Sequence, residues 1–266
     1  MTKARLARIR LYPIKALDPI EVREVGVAGG GGLLGDREFA FVDSDGNFAT
    51  AKRMGERILQ IRAEFKAGLT SVRLSTEFDS AEFSILGERE ALEAWMSAQL
   101  HQQVGLQQNA RTGFPDDEIA GGPTVISKAT IETVAAWFEL EPEEVRRRFR
   151  ANLEIDGLAA FEEDTLFGPE GQPRKFQVGD VEFGGINPCA RCSVPGRDSL
   201  TGEVVDQHFA KKFSELRQQH LPDEIERSRF DHYYRLSVNT KIADGEDAKR
   251  LAVGDAVVAI TATETA

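Results

Sequence analysis

The sequence predicts an α+β fold, predominantly antiparallel β and barrel-like, in which a β-rich domain over residues 1–115 precedes a second domain over 116–266. Three observations lead there. Short apolar–polar alternating runs bounded by Gly, Pro and Asp recur along the chain, helical periods are few, and strands do not alternate with helices as parallel βαβ units would require. A length of 266 residues exceeds one compact core, which favours two domains. The stretch NARTGFPDDEIAGGPT, 109–124, carries turn formers and no hydrophobic period, so the boundary is placed there.

The elements follow in order. Leu6, Ile9 and Leu11 mark a strand over 4–12 that Pro13 ends, and a second strand spans 20–27. A hairpin joins 38–42 to 48–51 through an Asp45-Gly46 turn. Short strands are expected at 61–66, 69–75 and 82–85, and Leu92, Trp95, Met96 and Leu100 place a helix over 88–100. Beyond the boundary, helices span 128–140 and 143–150, strands lie at 152–156 and 175–183, and a helix over 206–219 precedes strands at 234–240 and 253–260. Val178-Gly179-Asp180 and Val253-Gly254-Asp255 read as turns.

A net charge of −11 excludes a general nucleic-acid binder, because phosphate backbones demand a basic surface. No run is long and apolar enough to span a bilayer, so no membrane association is expected. The basic start, MTKARLARIRLYPIK, lacks an apolar core and a cleavage site, and the two cysteines form no disulfide framework; a cytoplasmic setting is expected.

Gly30, Gly32 and Gly35 spell a dinucleotide fingerprint, but a hairpin follows where that motif needs a helix, so the segment reads as a flexible turn. Asp43-Ser44-Asp45-Gly46 lacks the spacing of a calcium loop and reads as a turn. Cys189-Ala190-Arg191-Cys192 admits four readings: half a zinc site, a redox dithiol, inert thiols, or one thiolate ligand to a softer metal. Neither a further zinc-ligand pair nor a helix-opening context accompanies it, since NPCARCSVPG reads as an irregular loop. Arg191 next to Cys192 would favour its thiolate. The Arg146–Arg150 run closes a helix and serves its dipole, with one or two side chains free to clamp a phosphate. Lys15 and Arg37 are further cations at strand ends.

Taken together, YPIK at 12–15, GDREFAFVD at 35–43, TAKR at 50–53, RRFRANLEI at 147–155, VGDVEF at 178–183 and CARCSVPGRDSLTGEV at 189–204 resemble the MOSC proteins, named for the molybdenum cofactor sulfurase C-terminal domain, and especially the group containing the mitochondrial amidoxime-reducing component. The resemblance spans nearly the whole chain. It implies a MOSC N-terminal β-rich domain followed by a MOSC domain that binds the molybdenum cofactor (Mo-molybdopterin), with Cys192 as metal ligand and catalytic residue and Asp198, six positions later before a Thr201-Gly202 turn, as a second catalytic candidate that would either relay protons or, the favoured role, fix the cysteine loop through backbone hydrogen bonds. By the same motif match the cofactor is gripped by Lys15, Arg37, Ser127, Arg150 and Asn152. Ala16 departs from the serine common after the motif lysine and removes one hydrogen bond to the cofactor.

The activity implied is reduction of small N-hydroxylated substrates such as amidoximes and hydroxylamines. Electrons would come from a separate donor protein (a reductase, ferredoxin or cytochrome). Pyridoxal phosphate binding is a secondary association. The rival reading is a non-catalytic carrier of the cofactor or of sulfur on Cys192, and a third is an interaction module without cofactor.

Overall fold

A computed structural model describes residues 4–117 and 119–260. The first half contains β1 (Arg5–Leu11), β2 (Ile20–Val22), β3 (Glu24–Gly26), β4 (Phe39–Val42), the one-turn helices α1 (Ala51–Met54) and α2 (Glu56–Leu59), β5 (Arg62–Phe65), β6 (Ser71–Ser75), β7 (Ser80–Ser84), α3 (Arg89–Leu100) and β8 (Gly105–Gln108). The second contains β9 (Val125–Ser127), α4 (Lys128–Phe138), α5 (Pro142–Phe149), β10 (Leu153–Asp156), β11 (Arg174–Val178), β12 (Val181–Ala190), α6 (Phe209–Gln219), β13 (Arg235–Ile242), β14 (Arg250–Ala252) and β15 (Val257–Ala259).

The largest sheet has eight strands in the order β15-β11-β12-β13-β9-β10-β1-β2. Its named pairs are antiparallel except β9 with β10, which are joined by the α4–α5 crossover that a parallel pair requires. The sheet curls: Leu6 N donates to Asp255 O at 2.8 Å and Val257 N to Ala4 O at 2.9 Å, which brings the start of β1 to the lead-in of the opposite edge strand. Leu6, Ile9, Val125, Leu153, Phe176 and Phe183 fill the curl. A second core, with Phe41, Ile58, Leu74, Leu92 and Met96, joins α2 and α3 to the smaller sheets of the first half. A third, aromatic core with Phe149, Phe161, Phe209 and Phe213 lies under α4, α5 and α6. Thus β1 and β2 share a sheet with strands from beyond residue 124.

Several expectations are corrected in detail. The 20–27 strand breaks at Arg23, because β2 pairs with β1 whereas β3 pairs with β14. Residues 48–51 give only a bridge from Phe48 to Val42; the ladder partner of β4 is β8, whose GLQQ sequence has little β-forming character. The 175–183 strand is a hairpin, turned at Gly179 with φ 59°. Its second strand runs on through Pro188 to Ala190, so part of the expected loop is sheet. Pro188 is accommodated because the β12–β13 register shifts between Pro188 and Ala190, leaving Leu236 and Ser237 opposite Cys189 as a bulge.

Beneath α4 lies a cluster of buried charge. Asp164 pairs with Arg217, while neighbouring Glu163, 1% exposed, accepts from the Thr130 hydroxyl at 2.8 Å and has no ion-pair partner among the described residues. Burial, then the Asp164 charge, pushes the Glu163 carboxyl up to about 7. In the unfolded chain it ionises at the ordinary, lower value, so ionisation favours unfolding and stability falls as pH rises through that window. Glu163→Gln is expected to raise the melting temperature at about pH 8 by the equivalent of about 3 kcal/mol, with the gain vanishing near pH 4. Thermal scans at the two pH values check this, and a gain of equal size at both would contradict it.

Candidate functional site

A cleft of about 910 Å³ opens between the two halves. Its walls come from the end of β1, the turn before β4, α1 and α2, the 115–124 segment, the last turn of α5 and the segment after β12. Ten Lys or Arg and five Asp side chains line it, so the cleft is cationic in a chain of net charge −11. Such a cleft attracts anions electrostatically.

Its floor is built around Tyr12, which is fully buried just past the end of β1. The Arg150 guanidinium stacks over the Tyr12 ring at 4.1 Å and donates to Leu17 O at 2.7 Å, and the Arg37 guanidinium lies over the same ring at 5.1 Å. Both arginines have left-handed backbones, φ 51° for Arg37 and 55° for Arg150, the latter capping the C-terminus of α5. Such conformations are costly away from Gly and persist where surrounding contacts enforce them. Asn152, 1% exposed, supplies part of that enforcement: its Oδ1 accepts from Arg37 at 3.2 Å and from Thr124 N at 3.2 Å, and its Nδ2 donates to Arg10 O at 2.9 Å. Arg37 also pairs with Asp36, whose Oδ1 accepts from Tyr12 N at 2.8 Å.

Burial lowers the Arg150 pKa, and it also opposes the charge on Arg37; there the Asp36 and Asp116 carboxylates and Tyr12 together outweigh it and raise the value. Burial pushes the Tyr12 phenol up, which keeps it neutral between the two cations. Lys15, 7% exposed, donates to Phe114 O at 2.9 Å, pairs with Asp116 and lies over the Phe48 ring at 5.4 Å.

The thiols line the same cleft, in the segment at and after the end of β12. Cys192 is exposed and Cys189 partly so. The expectation that Arg191 attends Cys192 is corrected: its guanidinium lies 3.1 Å from Cys189 Sγ and donates to Phe149 O at 2.7 Å. The cause is the extended backbone leaving β12, in which positions two apart share a face and Cys192 turns to the other. The following segment is clamped. Arg148 pairs with Glu144 and reaches Pro195 O at 3.4 Å, and Glu144 accepts from Ser199 N at 3.0 Å and from the Ser199 hydroxyl. Asp198 Oδ1 accepts from Leu200 N at 2.9 Å and Thr201 N at 2.8 Å, an Asx turn. Burial would raise the Asp198 pKa, but those N–H groups outweigh it and hold the carboxyl below its usual range. Gly202, φ 78°, completes the turn, and a Cβ there would meet Glu56 Cα at 2.5 Å, so only Gly lets the turn pack on α2.

Lys15, Arg37, Arg150, Asn152, Cys192 and Asp198 therefore line one cleft. Ser127 stands apart: it is fully buried, caps α4 by accepting from Thr130 N at 3.2 Å, and donates to Ala159 O at 3.1 Å. Sequence reasoning missed Tyr12, Asp116 and Arg197 as parts of the site. Tyr12 carried a signal, its place in the quoted YPIK run, but a strand-end tyrosine reads first as core.

Two family models match the chain: the MOSC N-terminal beta barrel domain over residues 3–114 and the MOSC domain over residues 122–258. Among named relatives, the molybdenum cofactor sulfurase of Homo sapiens is 24% identical over 265 residues, covering 80% of this chain and 28% of that protein. The molybdenum cofactor sulfurase of Drosophila melanogaster is 26% identical over 237 residues, covering 76% and 29%. The chain thus spans under a third of those relatives. Among solved structures, YuaD from Bacillus subtilis aligns over 98% of both chains with a TM-score of 0.41 and 10% identity. YiiM from Geobacillus stearothermophilus covers 54% of this chain and 56% of its own with a TM-score of 0.34 and 11% identity, and neither likeness is close enough to carry an argument.

The clamp on the cysteine segment is testable. Glu144→Ala leaves the Arg148 charge, 3% exposed, without its partner, which is expected to cost about 3 kcal/mol in denaturant unfolding. Amide exchange over 193–202 should accelerate while β9 and β10 keep their protection. Unchanged exchange over 193–202 would show that something else holds the segment.

Proposed function

The chain belongs to the MOSC domain family, and on that footing we propose that it is a molybdenum-cofactor-dependent oxidoreductase that reduces small N-hydroxylated substrates. The observation that carries the reading is an exposed thiol, Cys192, on one wall of a cleft whose floor presents Lys15, Arg37 and Arg150. The residues fit the cofactor. A phosphorylated pterin needs fixed cations, which the floor supplies, and a soft metal needs a thiolate, which Cys192 supplies. Among the described residues no group of three or more His, Cys, Asp and Glu is placed to hold a metal ion, and Cys192 is the residue that would hold the metal of the cofactor.

When bound, the molybdenum centre supplies oxygen-atom transfer. The chain's own groups bind and orient. Lys15, Arg37 and Arg150 would hold the phosphate and pterin, Asn152 fixes Arg37, and the Glu144–Arg148–Ser199 clamp positions the segment that follows Cys192. Asp198, kept ionised and committed to two backbone N–H groups, shapes the turn and does not donate a proton. The proposal includes a separate electron-donor protein and a cytoplasmic setting. Among the described residues no helix is long and apolar enough to cross a membrane.

A second reading has its own support: the named relatives are cofactor sulfurases, and an exposed thiol also suits a carrier of sulfur or of the cofactor. Elemental analysis of protein expressed with molybdate, paired with turnover of benzamidoxime by a reduced dye, separates the two. The enzyme reading expects near-stoichiometric molybdenum and turnover in wild type and Cys189→Ser, and about tenfold less metal in Cys192→Ser. Metal without turnover across donors and substrates would favour the carrier, and metal unaffected by Cys192→Ser would overturn Cys192 as the metal ligand and with it the enzyme reading.

A further inference from the structure

The contact that neutralises Lys15 comes from the segment that borders the cleft. Phe114 N donates to Arg37 O at 2.8 Å and Gly122 N to Thr240 O at 2.9 Å, so the segment is pinned at both ends. Within it Asp117 is committed: its Oδ1 accepts from Ile119 N at 3.0 Å and Ala120 N at 3.1 Å, and its Oδ2 accepts from Asn239 at 3.3 Å. Asp116 is not. Its side chain is 83% exposed, yet its carboxylate reaches the Nζ of Lys15, whose side chain is 8% exposed. Its charge also acts on Arg37 and Arg150. A carboxylate that reaches into the cleft from the solvent side therefore serves the same three cations assigned above to phosphate.

We propose that Asp116 is a resident anion of the phosphate subsite, which neutralises the cationic floor when no ligand is bound and which a phosphate monoester displaces on binding. The proposal rests on the assignment of Lys15, Arg37 and Arg150 to phosphate. An enclosed ammonium cannot be left without a partner at low cost, so the floor needs an anion in either state. Asp116 suits the role because its side chain is 83% exposed, so the route from the pair back to water is open. A phosphate dianion brings more charge and three acceptor oxygens to the same place and outcompetes one carboxylate. Asp116 thereby sets how tightly, and with what charge, a ligand must bind to enter.

Calorimetric titration of the full chain, expressed in a host that makes no pterin cofactor, tests this with phenyl phosphate and inorganic phosphate as probes. Asp116→Asn is expected to bind phenyl phosphate about tenfold more tightly than wild type, with Asp116→Glu restoring the wild-type affinity and Arg150→Met weakening binding. Equal or weaker binding by Asp116→Asn, with Arg150→Met still weakened, overturns the resident anion and leaves the phosphate subsite standing. Tightening confined to inorganic phosphate also overturns it. Absence of binding in both wild type and Asp116→Asn overturns the subsite itself.

Discussion

The site depends on how the Arg150 guanidinium is held against the Tyr12 ring. Arg150 ends α5 in a left-handed conformation, and Tyr12 follows β1, so this one stack at 4.1 Å ties the second half of the chain to the first. A cation enclosed in this way needs acceptors and an electron-rich face, since water no longer solvates it. Leu17 O and the ring of Tyr12 provide them. Arg37 on the same ring repels Arg150, and that repulsion is offset by Asp36 and Asn152. The floor of the cleft is consequently rigid, and its positive charge is fixed in place before any ligand arrives.

The thiol wall obeys a different constraint. β12 continues past Pro188 only because the bulge in β13 absorbs the missing donor, and this carries the chain to the cleft edge before it turns. Alternation then separates the two sulfurs: Cys189 shares a face with Arg191, whereas Cys192 is exposed. Ser237, with φ 69° and a buried hydroxyl that has no hydrogen-bond partner, belongs to the bulge opposite Cys189, so local backbone strain sits beside the thiol segment, as it does at Arg37 and Arg150. A sheet optimised only for stability would carry neither the bulge nor the orphaned hydroxyl.

Much of this was legible in the sequence where period and capping speak locally. β1, α3, α4, α5 and α6 follow from apolar spacing alone. β8 and β9 do not, since a polar GLQQ run and a three-residue strand gain their pairing from partners distant in the chain. The site was legible only by resemblance: Lys15, Arg37, Arg150, Asn152 and Cys192 look scattered until the α5 cap and the ends of β1 and β12 converge. Ser127 shows the converse. A short hydroxyl side chain directly before a helical run is a capping signal, and the structure gives that residue the cap and a place outside the cleft. The placement of Arg191 required knowing that β12 reaches Ala190, which the prolines on either side of the motif concealed.

Cys192 lines the cleft that carries the cationic floor, and the proposed function requires its sulfur to bind the metal there. Molybdenum-edge X-ray absorption of the purified protein reads the sulfur ligands directly. A metal-bound Cys192 predicts a first shell in wild type and Cys189→Ser with one more sulfur scatterer than in Cys192→Ser loaded with the same cofactor. Identical sulfur shells in wild type and Cys192→Ser would contradict it.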